Sequence, residues 1–372
     1  MRDEFVVSWK KTRVSSLLGI EFPIVQGPLG GLSSQLLTAA VSNYGGLGSF
    51  GAHGLEPHRI RDVIDEIRSL TKKPFAMNLW VSMEDERAFS SGAGEFGRAL
   101  SRISPHLERF GGIKPSFAHY RPLRFEDQMR ILIDTRVPVF SFIYGLPPNE
   151  ILDECRRLGI LLIGAATTVD EAKVLADAGV DLVVASGFEA GGHRGSFLRK
   201  AEDSLMGVMS LVPQVCDAVN VPIIAAGGIA DARGILAAFA LGAEAVQLGT
   251  IFLACQESGA SELHRRALLN GKTNITGLTR GFTGRLARGI KNQMMDEFNS
   301  AEAQILPYPL QRHLIRNLSA AAERSGSETF IPMWSGQSAG LIQSSDVNSV
   351  MDTLVKDISW PADEVLRWKQ RR

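Results

Sequence analysis

The stretch PIIAAGGIADARGILAAFALGAEAVQLGT, residues 222–250, decides the fold. It opens on an unbroken apolar run, 222–226, and closes on another, 245–248. Apolarity without polar alternation marks a strand buried on both faces, as in a parallel sheet. Between the runs, Asp231 supplies a helix N-cap, the segment to Leu241 carries a helical pattern, and Gly242 stops it. Strand, helix and parallel strand make one β/α step, and each strand here ends in a pair of turn-forming residues, Gly227-Gly228 and Gly249-Thr250.

The same step recurs along the chain. Runs at 23–26, 46–49, 75–79, 137–142, 160–164 and 182–185 bring the count to eight, and the helix between the fifth and sixth begins at the Thr168 cap and stops at Gly179. Eight steps predict an α/β chain folded as a (β/α)8 TIM barrel. A doubly wound dinucleotide-binding sheet would need GxGxxG after its first strand. The sequence Gly27-Pro28-Leu29-Gly30-Gly31 lacks that spacing. The barrel is assigned to residues 15–255, including an insertion at 82–136 expected to act as a lid or pocket wall. Residues 256–372 are expected to form a helical segment packed on the barrel.

Composition bounds the function. The 372 residues would suggest two or three domains by length alone, but one barrel with two additions accounts for them. Forty Lys and Arg balance forty Asp and Glu, with no basic stripe interleaved with aromatics, which argues against a nucleic-acid partner. Cys155, Cys216 and Cys255 form no CxxC pair, so neither a disulfide framework nor a metal site is expected. The N-terminus lacks the apolar core of a signal peptide, and the most hydrophobic stretch, 237–255, is broken by Glu244 and Gln247. No membrane association is expected, and the location expected is cytoplasmic. Glycine is in excess, 37 residues, and many sit at the ends of the apolar runs.

In a TIM barrel the chemistry lies at the C-terminal strand ends. The seventh and eighth ends carry Gly228, Gly249 and Thr250, where bare backbone N–H groups and one hydroxyl suit phosphate oxygens. Glycine pairs at two consecutive ends favour phosphate binding over simple loop caps. The sixth end runs into E-A-G-G-H-R-G at 189–195, placing His193 in a glycine-flanked loop as a proton-handling candidate. Glu189 and Arg194 flank it, and Glu189 could orient the imidazole or be spent elsewhere. Gln26 and Asn78 are amides that could meet the mixed edge of a heteroaromatic ring, or satisfy backbone. His53, His58, His106, His264 and His313 are read as surface or core, and His119 is left between lid and surface. None of the eight runs contains a lysine, which argues against a Schiff-base aldolase.

With these residues in place, the chain resembles the nitronate monooxygenases, formerly called 2-nitropropane dioxygenases. The resemblance is carried by Q-G-P-L-G-G at 26–31, F-A-M-N-L at 75–79, E-A-G-G-H-R-G at 189–195, A-A-G-G-I at 225–229, Q-L-G-T at 247–250 and W-S-G-Q-S-A-G at 334–340. It implies an FMN-dependent barrel, a flavoprotein, that oxidises alkyl nitronates with O2 to a carbonyl compound and nitrite. Gln26, Gly27, Pro28 and Asn78 would then contact the flavin, with Gly191 beside it. Gly227, Gly228, Gln247, Leu248, Gly249 and Thr250 would hold its phosphate end. His193 would be the active-site histidine. Ser186 stands where close relatives often carry glutamine, so one flavin contact is lost or bridged by water. The alternative implied by the wider superfamily is an NAD(P)H-dependent FMN reductase acting on an enoyl thioester or a quinone. A small-molecule substrate is expected, and a homodimer.

Overall fold

The computed structural model describes residues 9–270, 275–299 and 305–358. Eight parallel strands form one sheet: β1 (Ile24–Gln26), β2 (Gly48–Gly51), β3 (Phe75–Trp80), β4 (Val139–Ile143), β5 (Leu161–Ala166), β6 (Leu182–Ser186), β7 (Ile223–Ala226) and β8 (Ala245–Leu248). Each pairs with its sequence neighbour from β2 through to β8, and β8 pairs with β1. The remaining seam, β1 to β2, is closed by a parallel bridge between Val25 and Leu47. The fold is the TIM barrel expected, with strand limits within two residues of the apolar runs.

Alternation within each strand explains why the runs had to be continuous. Val25, Ala76, Val139, Ile163, Val184 and Ile224 point inward and pack in the barrel interior, whose floor is plugged by Val14 and Leu18 of the helix Arg13–Leu18. Their neighbours Ile24, Met77, Phe140, Leu162, Val183 and Val246 point outward beneath the surrounding helices. With both faces buried, neither set can be polar.

The ring of helices is completed from a distance. The helix after β8 is only Thr250–Leu253. The outer position beside β8 is instead filled by Val347–Ile358, whose Val350, Met351 and Leu354 join the main core against the helices Gln35–Tyr44 and Ala232–Ala240. The barrel, assigned by sequence to end at residue 255, therefore takes its last outer helix from near the end of the chain.

The intervening segment is not helical throughout. It holds two antiparallel strands, β9 (Thr276–Thr279) and β10 (Ala287–Ile290), and the helices Glu262–Leu269, Gln293–Asn299 and Leu310–Arg324. From the insertion, helix Ala93–Arg109 packs on Leu310–Arg324, and Phe96, Ile103 and Leu107 share a second core with Leu314, Leu318 and Phe330. Positions 271–274, 300–304 and 359–372 of the predicted C-terminal segment lie outside the described residues. Among the described residues no helix is long and apolar enough to cross a membrane.

Candidate active site

The C-terminal ends of the barrel strands open into a cavity. Of the residues singled out by sequence, it gathers Gly27, Pro28, Asn78, Ser186, Gly191, His193, Gly227, Gly228, Gln247, Gly249 and Thr250 in its wall. Two are not brought there. Leu248 is fully buried and faces the outer helices. Gln26 is also fully buried, and its amide is spent on the barrel seam: Nε2 donates to Ser49 O at 2.7 Å and to Gly27 O at 2.8 Å, while Oε1 accepts from Ser49 N–H at 3.1 Å. The β1–β2 edge has little ladder of its own, so the side chain supplies the missing bonds.

Several glycines leave usable space. A Cβ built on Gly249 would meet only Leu29 at 3.7 Å, and one on Gly192 would meet nothing within 4 Å. The backbone there is bare toward open volume. At Gly227 and Gly228 φ is +112° and +68°, the left-handed region that favours glycine. The carbonyl of Gly228 accepts from Ser338 Oγ, and among the described residues the N–H groups of Gly228 and Ile229 take no protein acceptor. Gly336 N–H donates to Thr250 Oγ1 at 2.9 Å. The C-terminal W-S-G-Q-S-A-G motif is thereby tied to the two strand ends read as a phosphate site. Asn78 Nδ2 donates to Ser141 Oγ at 3.0 Å, which orients its amide at the cavity wall.

The loop after β6 is locked from behind. Arg194, buried, donates to the carbonyls of Ser186, Thr167 and Ser204. Glu189 does not reach His193; its carboxylate accepts from Val208 N–H at the start of helix Val208–Ala218. Instead the two-residue strand Gly192–His193 pairs antiparallel with β10, with His193 opposite Ala287.

His193 lies where the first cavity meets a second, with Gly30, Leu32, Trp80 and Trp334 common to both walls. Its ring packs edge-on against Trp80 at 4.8 Å between centroids, and Nε2 lies 2.9 Å from Thr283 Oγ1. Burial, with the guanidinium groups of Arg285 and Arg312 nearby, lowers its pKa to about 3, so the free imidazole is neutral. Arg285 is itself held by Asp85 at 2.8 Å and by Ser82, and lies over the rings of Tyr144 and Tyr308 at 4.1 and 4.4 Å.

His53, read from sequence as a surface or core residue, lines the second cavity. It stacks face to face on Trp80 at 3.9 Å, and its buried Nδ1 has no partner. It sits two residues beyond β2, so the strand-end rule applied to that strand points to it. Thr283, Arg285, Tyr308 and Arg312 come from the segment read as a helical appendage, where no local motif announces them.

A closed barrel whose strand ends frame a glycine-lined cavity, with a neutral imidazole at its edge, has the form of a TIM-barrel enzyme's active site. The chain belongs to the nitronate monooxygenase family, whose model matches residues 11–358. A probable nitronate monooxygenase of Staphylococcus aureus (strain Newman) is 40% identical over 352 residues, covering 94% of this chain and 98% of that protein. The structure of a nitroalkane oxidase from Streptomyces ansochromogenes superposes with a TM-score of 0.86 and 34% identity, over 95% of this chain and 100% of that one. That of FabK from Thermotoga maritima gives a TM-score of 0.74 and 30% identity, over 96% and 99%.

Proposed function

We propose that the protein binds FMN in the glycine-lined cavity and oxidises alkyl nitronates, or the parent nitroalkanes, with O2 to a carbonyl compound and nitrite. The observation that carries this reading is the position of His193 on the wall common to two chambers, one lined by bare glycine backbone and the other by aromatic and cationic side chains. The first suits a planar cofactor with a phosphate tail. Free N–H groups at Gly228 and Ile229, with Gln247, Gly249 and Thr250 beside them, would hold the phosphate, and Asn78 would meet the ring edge. Bound FMN supplies the electron acceptance that no side chain here can provide.

The chain's own residues do the rest. Arg312 and Arg316 line the second chamber with positive charge that favours an anionic nitronate there. Trp80, Tyr308 and Trp334 wall that chamber with aromatic surface and limit water. With a neutral nitroalkane, His193 takes the proton from the carbon bearing the nitro group. The resulting anion raises the proton affinity of the imidazole, so the imidazolium persists beside it and hydrogen-bonds it.

The test mixes the flavin-loaded protein anaerobically with a nitronate and, separately, with NADH. Flavin bleaching by nitronate, with nitrite formed once air is admitted, is the expected result. Fast bleaching by NADH alone would replace this reading with that of an NAD(P)H-dependent reductase. Colourless protein that does not take up added FMN would remove the cofactor assignment altogether.

A further inference from the structure

The hydrogen bond to Thr283 constrains more than the place of His193. Thr283 is buried on the turn between β9 and β10. Its hydroxyl lies 3.2 Å from the carbonyl of Arg285 and 3.3 Å from the N–H of the same residue. A carbonyl only accepts and an N–H only donates. Among the described residues Arg285 O has no other donor, so the arrangement that satisfies every group gives it the single hydroxyl proton and turns the oxygen lone pairs to the Arg285 N–H and the imidazole. The bond to His193 then runs from Nε2–H to Thr283 Oγ1.

We propose that Thr283 is the positioning residue that fixes His193 in its Nε2–H tautomer, leaving the Nδ1 lone pair as the atom that receives the substrate proton. Among the described residues Nδ1 has no hydrogen-bond partner, and it is not sealed off as a buried orphan. Both ends of the pair are rigidly held. His193 is in register with Ala287, and Arg194 N–H donates to Leu286 O at 2.8 Å. On the other side, Gly284 holds φ at +92° against the backbone of 306–308, and Arg285 is anchored to Asp85. Thr283 is thereby framed by held neighbours on both sides.

The inference rests on the proposed role of His193 as proton acceptor and names the atom. In the step, the C–H bond next to the nitro group breaks and its electron pair delocalises into that group, giving the nitronate. The proton moves to Nδ1, and the Nε2–H stays on Thr283. The imidazolium returns its proton to water after product leaves.

Nitrogen-15 NMR of the flavin-loaded protein labelled at histidine reads the tautomer directly, with the His193 signals identified by their loss in His193→Asn. Nε2 in the protonated, pyrrole-like range and Nδ1 in the unprotonated range is the expected result; the reverse assignment overturns the proposal. Thr283→Val should mix the tautomers and retain flavin. It should lower kcat for a neutral nitroalkane about 10- to 100-fold more than for the preformed nitronate, which needs no proton removed. Thr283→Ser should restore the neutral substrate to within about threefold of the starting protein, since the hydroxyl returns. Equal losses on both substrates would mean a structural role only and would also overturn it. If neither substrate turns over, the proposed function fails, and the NMR tautomer alone decides the role of Thr283.

Discussion

Gly191→Ala places one methyl group where the site is most crowded. A Cβ there would lie 2.5 Å from Gly336 N, 2.6 Å from Ser335 C and 3.0 Å from Ser335 Cα. All three are backbone atoms, so no side chain can swing aside. Ordinary contact begins near 3.4 Å, and the loop at 335–336 must retreat by about 0.9 Å. The bond from Gly336 N–H to Thr250 Oγ1, 2.9 Å long, would then stretch past hydrogen-bonding range. Overpacking costs about 1–3 kcal/mol and the lost bond about 1 kcal/mol, together about 2–4 kcal/mol. The strain falls on the wall of the cofactor cavity, and the share of it relieved when FMN is absent weakens binding, raising the Kd by at most about 30- to 700-fold. Gly192→Ala is the control: its Cβ meets nothing within 4 Å, and only the φ of +76° penalises it, by about 1 kcal/mol. FMN titration by fluorescence quenching, with thermal denaturation alongside, measures both variants. A Gly191→Ala protein with wild-type FMN affinity and Tm would refute the reasoning.

Three further outcomes follow from the site. His193→Asn should lower turnover of neutral nitroalkane at least about 100-fold while FMN stays bound, judged by nitrite release and flavin absorbance; loss of flavin would give His193 a structural role instead. Because burial, Arg285 and Arg312 lower the His193 pKa to about 3, kcat/KM for a neutral nitroalkane should be flat between pH 7 and pH 5. An inflection near 6.5 would contradict that. The same depression makes the His193 contribution to stability complete above about pH 6.5, the unfolded value, and lost as pH falls toward 3. Asp85→Ala removes the carboxylate from Arg285, whose side chain is only 6% exposed. It should cost about 2–4 kcal/mol by urea denaturation, at the lower end of buried-pair values because Asp85 is itself 32% exposed. A change below about 0.5 kcal/mol would show that Ser82 and the aromatic faces suffice.

The barrel was legible because burial on both faces leaves its mark on every residue of a strand, as at Ile223–Ala226. The helices Val169–Asp177 and Ala232–Ala240 were legible from their caps: Thr168 accepts from Glu171 N–H, and Asp231 from Gly234 N–H. Strand-end logic points to His193 and the glycines around it for the same reason, and they line the cavity wall. It missed what local pattern cannot encode. Gln26 at a strand end could serve ligand or backbone, and residue type does not separate the two; the answer lay in the sparse pairing of β1 with β2. Thr283 and Arg285 sit on a turn whose partners lie about 90 residues upstream at His193 and 200 upstream at Asp85. Likewise, nothing in the periodicity of Val347–Ile358 says that it belongs beside Gln35–Tyr44 rather than on an appendage.

That last helix makes the chamber above the barrel a loop in the topological sense, leaving the ring at β8 and re-entering it at Val347. A segment fastened to the ring at both ends can be exchanged, lengthened or recast without reopening the eight-stranded framework, provided its two points of attachment stay the same distance apart. It also divides the cavity wall by position in the chain: the strand ends and their glycines lie between residues 27 and 250, while Trp334, Gly336 and Ser338 come from the returning segment. The ring's last outer helix, Val347–Ile358, and the wall residue Trp334 thus both come from chain that follows the eight strands.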